Sequence, residues 1–130
     1  MKIIIAGGRD FNNYEELERV CDFYLQNQKE IEIVNGKGDG GFVDKIKVAG
    51  ADKLAEDYAI KKGYKITFFP ANWNKFGKSA GPRRNKQMAD YCGAEDGLIA
   101  FWDKKSRGTK NMIELAKEKG MKIKIHFYNC

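Results

Sequence analysis

Three stretches of this chain combine side chains and turns suited to holding an anion. Gly7-Gly8-Arg9-Asp10 directly follows the apolar run Ile3-Ile4-Ile5-Ala6. Two glycines let the backbone turn tightly and bring main-chain N–H groups close to a ligand, and Arg9 can pair with phosphate. The same pair also suits an ordinary strand-to-helix turn, and it is not the GxGxxG fingerprint. Ser106-Arg107-Gly108-Thr109 opens a helical pattern after a second apolar run, Leu98–Trp102. A helix N-terminus offers unpaired N–H groups and partial positive charge, to which Ser106 and Thr109 add hydroxyls, one of them also a cap. Ala80-Gly81-Pro82-Arg83-Arg84-Asn85 opens a further helix and sets two arginines against its dipole. An anionic ligand would compensate them, and so would bulk solvent.

Other candidates are less specific. Asn35–Gly41 is glycine-dense and, with Phe42–Gly50, makes a long connection before Asp52. Loops of that length tend to be functional or mobile, but no Walker lysine-threonine pair is present, which argues against a P-loop NTPase. Trp73 and Phe76 lie beside a basic run and suit either base stacking or core packing. The only histidine, His126, sits in an alternating strand pattern and is expected to face solvent. Cys21, Cys92 and Cys130 are odd in number and widely spaced, which argues against a disulfide framework or a zinc site.

The chain carries a net charge of +6 over 130 residues, unevenly spread. Residues 1–35 hold four basic and seven acidic side chains, whereas Ala71–Ala89 holds five basic residues and no acidic one. That asymmetry favours an anionic partner and also aids solubility. Apolar residues at 42% and charged residues at 32% suit a folded domain, and no apolar run is long enough to span a membrane. Residues 1–130 are expected to form one domain, and the first apolar run is too short for a secretion signal, so a cytoplasmic protein is expected.

The elements that must position these residues follow a βαβαβαβαβ pattern. Strands are expected near Lys2–Ala6, Ile31–Val34, Lys65–Phe69, Gly97–Trp102 and Lys122–Phe127. The first helix begins at Asn13, which has capping-box spacing to Glu16, and buries Leu17, Val20, Cys21, Tyr24 and Leu25. The second opens near Asp52 and stops at Gly63. The third has Pro82 in its first turn and ends before Gly93, and the fourth runs from about Thr109 to Gly120. This alternation predicts an α/β fold, a Rossmann-like three-layer α/β/α sandwich with a mainly parallel five-stranded sheet. The first and fourth strands are continuously apolar, hence central, and the last alternates, hence an edge; order 3-2-1-4-5 follows. Ligands in such sheets bind outside the carboxyl ends of the strands where the order reverses, between Gly7–Asn12 and Asp103–Thr109.

Jointly, several collinear stretches resemble the SLOG superfamily, and specifically its YspA-like, cpYpsA-related branch of bacteria and phages. They are Gly7–Phe11, Gly50–Glu56, Phe69–Trp73, Gly77–Pro82, Arg84–Met88, Phe101–Asp103 and Ser106–Ile113. The resemblance implies a Rossmann-like fold and a nucleotide-derived ligand; no cofactor or metal is expected, and a homo-oligomer is. The ligand-binding set expected from the turns and the resemblance together is Gly7, Gly8, Arg9, Asp10, Gly36, Asp52, Trp73, Arg84, Asn85, Ser106, Gly108 and Thr109. Related LOG-type phosphoribohydrolases cleave an N-glycosidic bond with an arginine in an Arg-x-x-x-Met stretch, matched by Arg84 and Met88, and with a glutamate. The glutamate's place, three residues after Thr109, is held here by Met112, and a thioether cannot act as a charged base or stabiliser. Binding or sensing of a nucleotide or nucleotide-derived phosphate is therefore the leading expectation. An enzyme using Arg84 with Asp10 or Asp103 as the acid is the alternative. Single-stranded nucleic-acid binding is a third, from the basic aromatic run and a distant likeness to the DNA-binding protein DprA. A second departure from the family pattern is the longer segment from Gly36 to Gly50, placed to close over a ligand.

Overall fold

The computed structural model describes residues 1–130. In chain order its elements are β1 (Lys2–Gly7), α1 (Tyr14–Leu25), β2 (Glu32–Asn35), β3 (Gly41–Val43), β4 (Ile46–Val48), α2 (Gly50–Lys62), β5 (Lys65–Phe68), α3 (Trp73–Phe76), α4 (Ala80–Tyr91), β6 (Gly97–Trp102), α5 (Arg107–Glu118) and β7 (Lys122–Phe127). A single 3-10 turn, Gly77–Ser79, joins α3 to α4.

Five strands form one parallel sheet in the order β5-β2-β1-β6-β7. Leaving aside the short β3 and β4, this is the expected 3-2-1-4-5 order. The continuous apolar runs of β1 and β6 put large side chains on both faces. Ile3, Ile5, Ile99 and Phe101 pack with Leu17, Leu54 and Tyr58 from α1 and α2. Ile4, Leu98 and Ala100 pack with Met88, Met112 and Ile113 from α4 and α5. Two cores thus sandwich the sheet, and parallel pairing brings every strand's carboxyl end to one rim.

Local signals place the helix starts. Asn13 caps α1 by accepting from the Glu16 N–H at 3.1 Å. Only half of the capping box forms, because the Glu16 carboxylate turns outward to Arg19 and His126. Leu17, Val20, Cys21 and Leu25 are buried as their spacing requires, but Tyr24 is 39% exposed, at the edge of the stripe. Helix α2 starts at Gly50, two residues before Asp52, and stops at Gly63 in the left-handed conformation.

The edge strand β7 departs from simple alternation. Lys122 and Lys124 are exposed as expected, but His126 is half-buried, edge-on to Phe101 at 5.6 Å, with Nε2 3.3 Å from Glu16 Oε1. It does not point freely to solvent because α1 covers part of that face; Lys124 likewise lies over the Tyr24 ring. Phe127 ends the strand tilted against Trp102 and stays 46% exposed.

The connection after β2 is not featureless. β3 and β4 pair antiparallel as a hairpin apart from the main sheet, with Phe42 opposite Lys47 and Val43 opposite Ile46. Its tip residues Asp44 and Lys45 both have positive φ, the pattern of a two-residue hairpin turn twisted to suit its strands. No helix is long and apolar enough to cross a membrane.

Candidate functional site at the carboxyl ends of the strands

The loops at the carboxyl rim enclose a cavity of about 640 Å³. The turn after β1, the first turns of α2, α4 and α5, the β3–β4 hairpin and α3 all contribute to its lining. Arg9, Lys78, Arg84 and Arg107 bring positive charge to it, and Asp10 and Asp52 bring the carboxylates.

The diglycine turn is held from three sides. The Gly8 N–H donates to the Phe101 carbonyl at 3.3 Å, and the Gly8 carbonyl accepts from Phe11 and Ala51 at 3.2 and 3.1 Å. At Gly7 there is no room for a side chain: a Cβ would lie 2.8 Å from both the Phe101 carbonyl and the Ala51 methyl. Beyond it the Tyr128 hydroxyl donates to Asp10 Oδ1 at 2.7 Å. Burial pushes the Tyr128 phenol upward, and the Asp10 bond and charge add to the shift.

On the other side of the strand-order reversal, Ser106 caps α5. Its Oγ accepts from the Thr109 N–H at 3.3 Å and lies 3.0 Å from Thr109 Oγ1. The Lys110 N–H reaches the Ser106 carbonyl, so the first-turn N–H groups of Arg107 and Gly108 are left without a partner in the chain. Trp102 Nε1 donates to the Ser106 carbonyl and fixes the loop.

Asp52 of α2 and Arg84 of α4 bring opposite charges near each other beside Gly36 without a direct ion pair. Asp52 Oδ2 accepts from the Gly38 N–H at 2.8 Å, while Arg84 donates from Nη1 to the Gly36 carbonyl and from Nε to Asn85 Oδ1 at 3.0 Å. Burial raises the Asp52 carboxyl above its ordinary value, against the opposing pull of Arg84, the Gly38 N–H and Arg9. Burial likewise lowers the Arg84 guanidinium, opposed by Asp52 and reinforced by Arg9. Both groups move toward neutrality, so desolvation outweighs their mutual attraction. Asn85, 5% exposed, braces the arrangement by donating to the Gly108 carbonyl at 3.2 Å and to Asn111 Oδ1 at 2.9 Å.

The structure brings Gly7, Gly8, Arg9, Asp10, Asp52, Trp73, Arg84, Asn85, Ser106, Gly108 and Thr109 to one cavity wall. Gly36 stands behind it and presents its carbonyl to Arg84. Asp103 does not line the cavity: its Oδ1 accepts from the Lys105 and Ser106 N–H groups, each at 2.8 Å. Burial acts to raise the Asp103 carboxyl, but those backbone bonds outweigh it and hold it below the usual range. Met112 is buried where it meets the cavity, and Glu114 is exposed elsewhere on α5. Cys21 and Cys92 are buried core thiols, and burial pushes Cys92 up to about 12. No group of three or more His, Cys, Asp or Glu side chains is disposed to hold a metal ion.

Sequence reasoning did not single out Phe42, Lys78, Asn111 or Met88 as lining, nor Tyr128 as the partner of Asp10. For Phe42 a signal existed: Val43-Asp44-Lys45-Ile46 sets a polar pair between apolar residues, as a tight hairpin does.

A parallel α/β sheet with a cavity at its order reversal, flanked by a diglycine turn and a capped helix N-terminus, defines a Rossmann-like α/β domain. The chain belongs to the YAcAr family, the YspA, cpYpsA-related SLOG family, whose model matches residues 1–76. That span carries Gly7 to Asp10, Gly36, Asp52 and Trp73; Arg84, Asn85 and the α5 turn lie beyond it. Comparison with curated proteins and with solved structures finds no match. Membership of the SLOG family points to nucleotide-related binding or activity.

Proposed function

We propose that this cavity binds a nucleotide or a nucleotide-derived phosphate ligand, its phosphate lying between the Gly7-Gly8 turn and the N-terminus of α5. The observation that carries the reading is the convergence of the Gly7-Gly8 turn, the unpartnered Arg107 and Gly108 N–H groups and the cations Arg9, Lys78 and Arg107 on one cavity. A phosphate group can engage the free α5 N–H groups and these cations together. A cytoplasmic setting and self-association into a homo-oligomer belong to the same reading.

Nucleoside monophosphates and ADP-ribose are the first compounds to test by thermal melting. A ligand at 100 times its dissociation constant stabilises the native state by about 2.7 kcal/mol, a rise of several degrees in Tm. A flat response across a broad nucleotide library would sink the proposal.

Cleavage or transfer at an N-glycosidic bond is a second reading, favoured by the raised Asp52 carboxyl facing Arg84 inside the cavity. Asp10 is tied to Tyr128 and Asp103 to backbone N–H groups, so Asp52 is the better-placed acid. Release of free base from a nucleoside monophosphate, abolished in Asp52→Asn and in Arg84→Ala, supports it; absence of turnover leaves binding alone. Oligonucleotide binding draws on the exposed Lys75, Lys78 and Arg83 and requires affinity that falls steeply with salt.

A further inference from the structure

The hairpin raises a question of its own, because its exposed apolar side chains are not all turned the same way. Register places Phe42 with Lys47 on one face and Val43 with Ile46 on the other. Phe42 is 65% exposed and yet lines the main cavity. Trp73 lines the same cavity, is 45% exposed, and rests against the first turn of α4 at Gly81. Each ring has a cation over it, Arg9 5.2 Å from the centre of Trp73 and Lys47 5.3 Å from that of Phe42. Arg9 also forms the seat of the hairpin, its backbone lying close against Gly41 and Gly50. Two large aromatic faces at one cavity, each bordered by a cation, are costly in water and suited to a flat, electron-rich ring.

We infer that Phe42 and Trp73 form a nucleobase subsite, in which the base of the ligand stacks on Trp73 and is covered by Phe42 from the hairpin. This rests on the proposed phosphate site and adds the part of the ligand that leaves the cavity. The base lies outward at the hairpin and α3, while the phosphate lies inward at the strand ends. The hairpin is joined to the body at Gly40 and Gly50, whose φ of +82° and +80° and close backbone neighbours hold it against Arg9. Every base has a stackable face, so the subsite selects for the presence of a base more than for its identity.

The test compares adenosine 5′-monophosphate, ribose 5-phosphate and inorganic phosphate on the full chain, by thermal melting and by tryptophan emission. Adenosine 5′-monophosphate quenches the emission and ribose 5-phosphate does not. The quench disappears in Trp73→Phe, which leaves Trp102 as the only indole. Phe42→Ala weakens adenosine 5′-monophosphate roughly ten-fold, as loss of one stacking partner does, and leaves ribose 5-phosphate within about two-fold. Equal affinities for the two phosphates, unaltered by Phe42→Ala, overturn the base subsite and leave the phosphate site standing. Failure of all three probes to bind overturns both. A Phe42→Ala chain that loses a dimer seen by sedimentation, with unchanged ligand affinity, assigns the hairpin to contacts between copies and also overturns the subsite.

Discussion

Arg84→Ala is expected to lower the free energy of unfolding at pH 7 by roughly 1–3 kcal/mol, the range for removing a half-buried guanidinium that donates to the Gly36 carbonyl and Asn85 and lies near an opposite charge. The loss does not come from a strong ion pair, since burial already moves both Asp52 and Arg84 toward neutrality. It comes from what remains: a carboxylate bonded to the Gly38 N–H at 2.8 Å, with the stronger of its two cationic influences gone and only Arg9 left. The pH dependence follows in sign. A carboxyl whose folded pKa lies above its unfolded value binds more protons when folded, so stability falls as pH rises from the unfolded pKa through the folded one. Removing Arg84 removes a pull that lowers the Asp52 pKa, so the folded value rises and this window extends upward. The variant should therefore regain stability on acidification, within the limits set by the other carboxylates. Adding Asp52→Asn should restore most of the loss at pH 7 and abolish this extra pH dependence. Chemical denaturation of the four members of this double-mutant cycle between pH 5 and 8 measures the coupling directly. Equal losses in Arg84→Ala and the double variant, with parallel pH profiles, would show that Arg84 acts through packing and the Gly36 carbonyl instead.

That coupling also marks the boundary of what could be read from the chain. The sheet order was legible because Ile3–Ala6 and Leu98–Trp102 are apolar without alternation, which only a doubly covered strand requires. Once those two are central and parallel, the turns after them share one rim, and Gly7, Gly8, Ser106 and Thr109 come together without further information. Asp52 and Arg84 are separated by 31 intervening residues on different layers, and no local pattern pairs them. Their meeting depends on the packing of α2 and α4 around the Gly36–Gly38 backbone. The hairpin was hidden for a different reason. Its strands are three residues each and lie almost wholly on the surface, so burial and period do not distinguish them from loop, and only the Asp44-Lys45 pair between apolar residues marks the turn. Asp103 was misleading as an acid because a carboxylate two residues before a backbone N–H serves equally well to shape a turn. His126 failed on tertiary grounds, since a wet strand face read from alternation is wet only until a neighbouring helix end leans over it.

Gly50→Ala should destabilise the rim of the cavity strongly, costing about 3 kcal/mol or more. Gly50 opens α2 with φ of +80°, a conformation that costs an L side chain roughly 1–2 kcal/mol. A Cβ there would also lie 2.8 Å from Gly40 Cα and 2.9 Å from the Arg9 carbonyl. Both obstacles are backbone, so neither can rotate away, and overpacking against fixed atoms costs about 1–3 kcal/mol in addition. Gly63→Ala is the internal control: its φ is +74°, but nothing lies within 4 Å of the added methyl. It should lose only the conformational part, about 1–2 kcal/mol. The difference between the two in equilibrium denaturation isolates the steric share. The two sites also differ in consequence for the ligand. Gly63 ends α2 at the end away from the cavity, whereas Gly50 seats the hairpin against Arg9 and sets the start of the helix that carries Asp52. Relaxation of the Gly50→Ala clash must push the hairpin outward or tilt the first turn of α2. Affinity for adenosine 5′-monophosphate should then fall even at temperatures where the variant is fully folded, and Gly63→Ala should bind as the parent does. If both variants lose stability equally and bind alike, the close contact between hairpin, Arg9 and α2 does not constrain the site, and the cavity owes its shape to the sheet and to α4 and α5.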